Sequence, residues 1–300
     1  MSTHTSPDPA EPPAVPPAPV PAQPPRPDAF PSAQGWPPPP AAGVPQRDRP
    51  AGPGPWGLAV PWGFWESVLV GVCGFIVGGI LSAPIAMGAT NGNLTNLQFA
   101  IAGVLGEVGI FVSVAGWLSI RHRRALPALA LNLRRPVDAA IGFGLGIVIY
   151  FVAVLGIAQV IGFLLDRIAG HSVQSPDQLP SSLTGFPLVL TGFLVIVCAP
   201  VAEELLFRGM LFRSIRDRHG FWPGAVVSSV LFGLVHWQGS PWESSVLLVS
   251  TLAFVGLGLA SLYEWRRNIL TNMAAHAGFN VVGFFLFVNG NGLVPFRHWL

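Results

Sequence analysis

Seven apolar runs, each close to the length of a membrane span, constrain the fold of this chain more than any other feature of its sequence. They cover residues 64–88, 97–120, 137–165, 185–207, 222–238, 244–263 and 268–288, and the fourth continues as a helix towards residue 216. About 20 apolar residues in a helix cross about 30 Å of hydrocarbon. Only 10% of the residues are charged, against about 25% in soluble domains. The sequence therefore predicts an all-α, multi-pass membrane helix bundle of about seven spans.

The first 60 residues differ from the rest in composition. They contain 20 of the 31 prolines and show no helical or strand period. Such a segment cannot bury enough apolar surface to offset the entropy of ordering it. We expect a disordered, Pro-rich cytoplasmic tail over residues 1–60, N-terminal transmembrane helices over 61–180, and a C-terminal membrane domain over 185–284.

The placement of arginine predicts how the chain crosses the membrane, because cytoplasmic loops are enriched in Lys and Arg. Arginines precede the first span and follow the second span, the acidic pair of the fourth and the sixth span: Arg47, Arg49, Arg121, Arg123, Arg124, Arg134, Arg135, Arg208, Arg213, Arg216, Arg218, Arg266 and Arg267. The alternate loops, 89–96, 171–184 and 238–243, contain no Arg. We therefore expect a cell-membrane protein with its N-terminus in the cytoplasm.

Few polar residues within the spans are capable of chemistry. Glu203 and Glu204 are adjacent in the fourth span, and Arg208 follows closely. A charge at bilayer depth costs about 2.5–3.5 kcal/mol on insertion scales, so each of the three needs a partner or a function. Glu204 and Arg208, spaced i and i+4, can pair on one helix face. Glu203 points about 100° away and is free to face another helix.

His236 in the fifth span, with His276 and Asn280 in the seventh, completes this polar set. Counted from the Arg-containing ends at 1.5 Å per residue, Glu203 and His236 lie about 21–22 Å along their helices, and His276 and Asn280 about 12 and 18 Å. Three helices thus bring an acid, two imidazoles and an amide to a similar level. Pro200, just before the acidic pair, frees a backbone carbonyl and kinks the helix. Such irregular backbone is tolerated where it lines a cavity.

The residues form three motifs in a fixed order: Glu-Glu-x-x-x-Arg over 203–208, Phe-x-x-x-His over 232–236 and His-x-x-x-Asn over 276–280. This ordered set resembles the type II CAAX prenyl protease family, also called the CPBP intramembrane proteases, which includes bacteriocin-processing and abortive-infection proteins. The resemblance covers 185–284, a third of the chain. It implies that this region is the catalytic domain of a CAAX-type intramembrane endopeptidase, a hydrolase whose cavity opens to the cytosol.

The resemblance also implies roles for the residues of the motifs. Glu203 with His236 would polarise the attacking water. His276 and Asn280 would stabilise the tetrahedral oxyanion. These roles match the needs of amide hydrolysis, which requires a base for the water and donors for the developing negative charge.

Two further residues, Arg208 and Glu204, would have supporting roles. Arg208 would hold Glu204 and fix the helix, by the same similarity. Glu107 in the second span lies about 20 Å from the Arg-containing end of its helix, at the depth of the site. A hydrogen-bonded structural Glu is the expected role of Glu107, and support of the site is the alternative.

A metal ion is an alternative to direct activation of the water. One Glu and two His suit Zn²⁺ with water in the fourth position, and the ligands would be Glu203, His236 and His276. The chain has no His-Glu-x-x-His helix, so we favour direct activation and keep a zinc metalloprotease as the alternative. Cys73 and Cys198 lie in apolar segments without paired spacing, which argues against a Cys-based zinc site.

The expected partners are the lipid bilayer and a membrane-associated peptide or protein substrate, prenylated or leader-type, with no nucleic-acid partner. A catalytically silent scaffold or bacteriocin-immunity-type protein of the same fold is the first alternative function, since fold does not fix function. A proton-coupled carrier is the second, because intramembrane Glu, His and Arg also form proton relays. A carrier is often built from inverted repeats, and the sequence shows no convincing repeat.

Overall fold

The computed structural model describes residues 59–90, 93–123, 127, 129–132, 136–239 and 241–289. The expected Pro-rich tail lies outside this part of the chain, apart from its last two residues. The regular structure of the described residues consists of seven helices: α1, Phe64–Met87; α2, Asn96–Arg121; α3, Pro136–Ala169; α4, Gly185–His219; α5, Phe221–Leu234; α6, Trp242–Arg266; and α7, Ile269–Asn289. The all-α fold class is confirmed.

Six of these helices are long and apolar enough to cross a membrane, which makes the chain a multi-pass membrane protein. The exception is α5, whose 14 residues extend about 21 Å, less than the about 30 Å of hydrocarbon. The fifth expected span, 222–238, is thus helical only as far as Leu234. Beyond it the chain turns, Gly239 adopts a φ of 91° that favours glycine, and Pro241 precedes α6.

Helices α1 and α2 are in contact through glycine. A Cβ atom on Gly74 would lie 2.9 Å from the Cα of Ile110, and one on Gly78 would lie 2.9 Å from the Cα of Gly106. Helices of membrane proteins approach this closely only where small residues leave room. The close packing expected for Gly74-x-x-x-Gly78 is therefore present, and it holds α2 against α1.

A second glycine contact joins α3 to α7. Cβ atoms on Gly142 and Gly146 would overlap the backbone carbonyls of Thr271 and Ala275, whereas a Cβ on Gly144 would meet nothing within 4 Å. Only the i, i+4 pair of this glycine cluster therefore faces the neighbouring helix. Because Ala275 precedes His276, this contact sets the position of a candidate site residue.

Helix α4 departs from regular α-helical geometry on both sides of its acidic pair. Leu194–Cys198 and Leu205–Phe212 are π-helical. In the first segment the N–H of Ala199 bonds the carbonyl of Leu194, five residues earlier. The next residue, Pro200, has no N–H to give. By the same five-residue spacing, the N–H of residue 200 would bond the carbonyl of Val195. Because residue 200 is proline, this carbonyl receives no such bond.

Candidate active site

A cavity of about 270 Å³ lies inside the bundle. Four of the six residues predicted from the motifs line it: Glu203 on α4, His236 just after α5, and His276 and Asn280 on α7. Three separate segments therefore bring a carboxylate, two imidazoles and an amide to one space. The remaining wall is largely apolar and aromatic.

Glu204 and Arg208, the other two predicted residues, do not line the cavity and are fully buried beneath it. Arg208 Nη1 lies 3.0 Å from Glu204 Oε1, so the i, i+4 pair expected from the spacing is present. Arg208 Nη2 also donates to the carbonyl of Gly256 at 3.1 Å, and its guanidinium lies 4.6 Å from the ring centre of Phe232. The pair joins α4 to α5 and α6 below the site.

His276 lies between the two adjacent carboxylates. Its Nδ1 is 3.1 Å from Glu204 Oε1, and its Nε2 is 3.8 Å from Glu203 Oε2. A carboxylate oxygen accepts, so the contact with Glu204 places a proton on Nδ1. Glu204 thereby orients the imidazole, and Nε2 faces Glu203 and the cavity.

Asn272 is a residue of this site that the sequence reasoning missed. It is fully buried, and its side-chain amide donates to Glu204 Oε2 at 3.3 Å and to the carbonyl of Leu259 at 2.7 Å. Asn272, His276 and Asn280 are spaced four residues apart and share one face of α7. That spacing was visible in the sequence and could have identified Asn272.

His236 is held by the last turn of α5. Its Nδ1 lies 2.9 Å from the carbonyl of Phe232, and a carbonyl can only accept, so Nδ1 is the protonated nitrogen and Nε2 is left for the cavity. The ring of Phe232 packs against both imidazoles, with centroids 5.3 Å from His236 and 5.7 Å from His276. The Phe of the Phe-x-x-x-His motif thus keeps the two histidines apart and supplies the carbonyl that orients one of them.

Four residues outside the C-terminal half also line the cavity: Phe99, Gly103 and Glu107 on α2, and Tyr150 on α3. Glu107 Oε2 is buried and bonds no side chain or backbone group of the described residues. The position of Glu107 is therefore consistent with the alternative in which it supports the site. Tyr150 was missed, because a tyrosine within an apolar run carries no signal that separates it from core packing.

The region that forms the site is similar to a family of known proteins. The family model of the type II CAAX prenyl endopeptidases, Rce1-like, matches residues 185–282. The chain contains an Rce1-like domain. This confirms the resemblance indicated by the three motifs, and the domain includes α4, α5, α6 and most of α7.

Two relatives are similar to the chain over parts of their length. "UPF0177 protein YxdF" of Lactococcus lactis is 30% identical over 112 residues, 37% of this chain and 58% of that protein. "Putative membrane peptidase YdiL" of Bacillus subtilis is 26% identical over 153 residues, 50% of this chain and 57% of that protein. The chain therefore spans less than two thirds of either relative. No solved structure matches it.

The zinc alternative requires Glu203, His236 and His276 to lie together as the ligands of one metal ion. Across the described residues, no three His, Cys, Asp or Glu side chains are arranged to hold a metal ion. The arrangement gives no support to a metalloprotease.

The wall of the cavity extends to one connection between helices. Gln178 and Leu179, in the Arg-free connection between α3 and α4, form part of this wall. The expected opening of the cavity to the cytosol stays a prediction. Depth along single helices predicted the level of the site, but the direction of opening depends on where loops and packed side chains close the bundle.

Proposed function

We propose that the chain is an intramembrane endopeptidase that hydrolyses peptide bonds of membrane-associated peptides or proteins. One observation supports this most strongly: Glu203, His236, His276 and Asn280 line a single cavity inside a membrane helix bundle. The Rce1-like domain and the relative whose name includes a membrane peptidase point to the same chemistry. The proposed role of each residue follows from its contacts.

The first step is attack by water. The carboxylate of Glu203 accepts a proton from the water while the water oxygen bonds the carbonyl carbon of the substrate peptide. His236 keeps its proton on Nδ1, bonded to the carbonyl of Phe232. Its Nε2 therefore accepts from the same water and orients it. The apolar wall excludes other water, which strengthens these interactions.

The attack converts the peptide carbonyl to an oxyanion, which needs donors. His276, as the imidazolium, donates from Nδ1 to Glu204 and from Nε2 to the oxyanion. The side-chain amide of Asn280 has two N–H groups, one of which is bonded to the carbonyl of Val195. The second is available to the oxyanion. Removing one such donor from a hydrolase costs about 10²–10³ in kcat.

Collapse of the tetrahedral intermediate completes the reaction. Glu203 returns the proton to the leaving nitrogen, the C–N bond breaks, and a carboxylic acid and an amine are released. Glu204 and Arg208 are positioning residues in this scheme. They touch no substrate, and they hold His276 and the turn of α4 from which Glu203 projects.

The substrate is a peptide or protein held at the membrane, of the prenylated or the leader type. The cavity wall includes Phe99, Phe279 and Phe284, which accommodate apolar side chains or a lipid group. Water-soluble peptides are poor candidates, because nothing concentrates them at this depth.

The test uses three separate variants, E203Q, H236A and H276A, in cells that express the full chain. New protein N-termini produced by the wild-type chain are identified by mass spectrometry, and each variant should lose them while it is still inserted in the membrane. E264Q is the matched control, because Glu264 is on α6 and pairs with Arg216 away from the cavity. Termini that persist in all three variants contradict the proposal and favour the silent scaffold.

A further inference from the structure

We propose that the substrate enters from the face of the bundle that has the Arg-free loops, so that the enzyme cuts polypeptide in the outer half of the membrane or just outside it. This inference rests on the proposed function and specifies its substrate class. It combines the position of the cavity in the fold with the distribution of charge in the loops.

The wall of the cavity extends from the middle of the bundle, at Tyr150, Val255 and His276, towards the loops that contain no Arg. On α2 the lining residues Phe99 and Glu107 belong to the half that begins at Asn96, and on α7 Phe284 belongs to the half that ends at Asn289. The α3–α4 connection adds Gln178. All of these points lie towards the loops that contain no Arg.

The opposite half of the bundle is filled. Leu206, Phe207 and Met210 are buried directly after the acidic pair. Trp62 is also fully buried there and donates from Nε1 to the carbonyl of Met210 at 3.3 Å. Buried apolar side chains over about one helical turn therefore lie between Glu203 and the Arg-containing face.

Beyond these apolar side chains, polar contacts tie the helix ends together. Arg216 pairs with Glu264 at 2.6 Å, which joins the end of α4 to the end of α6. Leu129, between α2 and α3, contacts the same end of α6, since its carbonyl accepts from the hydroxyl of Tyr263 at 2.8 Å. A route for a polypeptide from the Arg-containing face would have to break these contacts and displace the buried apolar side chains.

The short helix α5 explains why the other face is accessible. Trp222 and Trp265 are exposed near the Arg-containing ends, and Trp237 and Trp242 are exposed near the other face, as in the aromatic belts of membrane proteins. Helix α5 stops about 20 Å from the first belt. The remaining third of the bilayer is crossed there by a turn instead of a helix, and His236 lies in that turn.

The charge of the loops indicates which face of the bundle is on the cytoplasmic side of the membrane. Cytoplasmic loops are rich in Arg and Lys. Among the described arginines at helix ends, Arg121, Arg123, Arg213, Arg216, Arg218, Arg266 and Arg267 lie at the filled end of the bundle, which we call the sealed face, and Arg167 lies at the other end. The accessible face is therefore the outer one. A prenylated C-terminus, which inserts into the inner leaflet, would not reach Glu203. A leader peptide or membrane-anchored segment on the outer side would.

Thiol labelling tests the orientation without using activity. Cys73 and Cys198 are replaced by Ser, and cysteine is introduced in the full chain by Q178C at the cavity wall or by H219C on the sealed face. A membrane-impermeant maleimide added to intact cells should label the first and not the second, and inverted vesicles should give the reverse. The opposite pattern overturns the inference even if the enzyme is active.

Cleavage sites test the substrate class. The N-termini that disappear in E203Q cells should map to the outer halves of membrane segments or to the residues just outside them. Sites at cytosolic C-termini would overturn the inference. If no terminus depends on Glu203 while the labelling pattern holds, the proposed function fails and the assignment of the accessible face stands.

A blocking experiment links the two tests. Maleimide attached at Q178C should lower the yield of Glu203-dependent termini at least tenfold, because the adduct occupies the entrance. The same adduct at H219C, formed in inverted vesicles, should leave cleavage unchanged. Equal cleavage with and without the adduct at Q178C contradicts entry past the α3–α4 connection.

Discussion

Asn280 of α7 donates its side-chain amide to the backbone carbonyl of Val195 in α4, at 2.5 Å. This carbonyl is available because Pro200, five residues further on, has no N–H and the preceding turn is π-helical. A proline in one helix thus creates the acceptor that fixes a candidate catalytic side chain on another. The sequence predicted a freed carbonyl before the acidic pair, and the structure identifies the group that occupies it.

Replacing that proline should weaken the site. P200A supplies an N–H that competes for the carbonyl of Val195 and releases Asn280. A typical hydrogen bond contributes about 1 kcal/mol, so we expect kcat to fall about fivefold. The control is P84A, since Pro84 is also inside a helix but belongs to α1, away from the cavity. Equal rates for P200A and the wild type would show that this bond does not position Asn280.

The buried pair of Glu204 and Arg208 should matter more to stability than a surface pair. Removing one partner of a buried ion pair leaves an uncompensated charge and costs about 3–5 kcal/mol. We expect E204Q and R208M each to lower the unfolding temperature in detergent, and the double variant to lose much less than the sum of the two. Additive losses would mean that the two side chains act independently.

Stability and cleavage should depend on the glycines of α3 that face α7 and not on the glycine that faces away from it. G146A places a methyl group against the carbonyl of Ala275 and must displace α7 beside His276, so we expect lower thermal stability and at least a tenfold loss of cleavage. G144A meets nothing within 4 Å and should behave as the wild type, or gain slightly in stability. If the two variants are equally active and equally stable, the packing of α3 on α7 does not position His276.

Glu107 should contribute to cleavage although it lies outside the Rce1-like domain. Its buried Oε2 lines the cavity and bonds none of the described residues, so water or a substrate amide is its available donor. We expect E107Q to raise KM or lower kcat about tenfold with little change in unfolding temperature, because no protein contact is lost. A large loss of stability without a kinetic effect would instead identify a structural Glu.

A chelator distinguishes the two ways of activating water. Direct activation by Glu203 and His236 predicts that purified enzyme keeps its activity after dialysis against 1,10-phenanthroline, and that metal analysis finds less than one zinc per chain. Loss of activity that added Zn²⁺ restores would favour the zinc alternative. Measuring E203Q in parallel shows whether the residual rate depends on the carboxylate.

Local patterns were sufficient for the parts of the protein that depend on local sequence. Hydropathy predicted α2 over 97–120, and the helix spans Asn96–Arg121. The spacing of Glu204 and Arg208 predicted their ion pair, because residues four apart share a face of any helix. The fifth segment was overestimated, since apolar character continues to residue 238 while Gly239 and Pro241 already favour a turn.

Tertiary structure decided what no single segment encodes. Asn272 reaches Glu204 and Glu107 reaches the cavity only because α7 and α2 pack beside α4, at contacts set by glycine. Hydropathy and helical periodicity act over one or two turns and fix where each polar group lies along its own helix. Which end of the bundle is filled depends on side chains and loops brought together from distant parts of the chain.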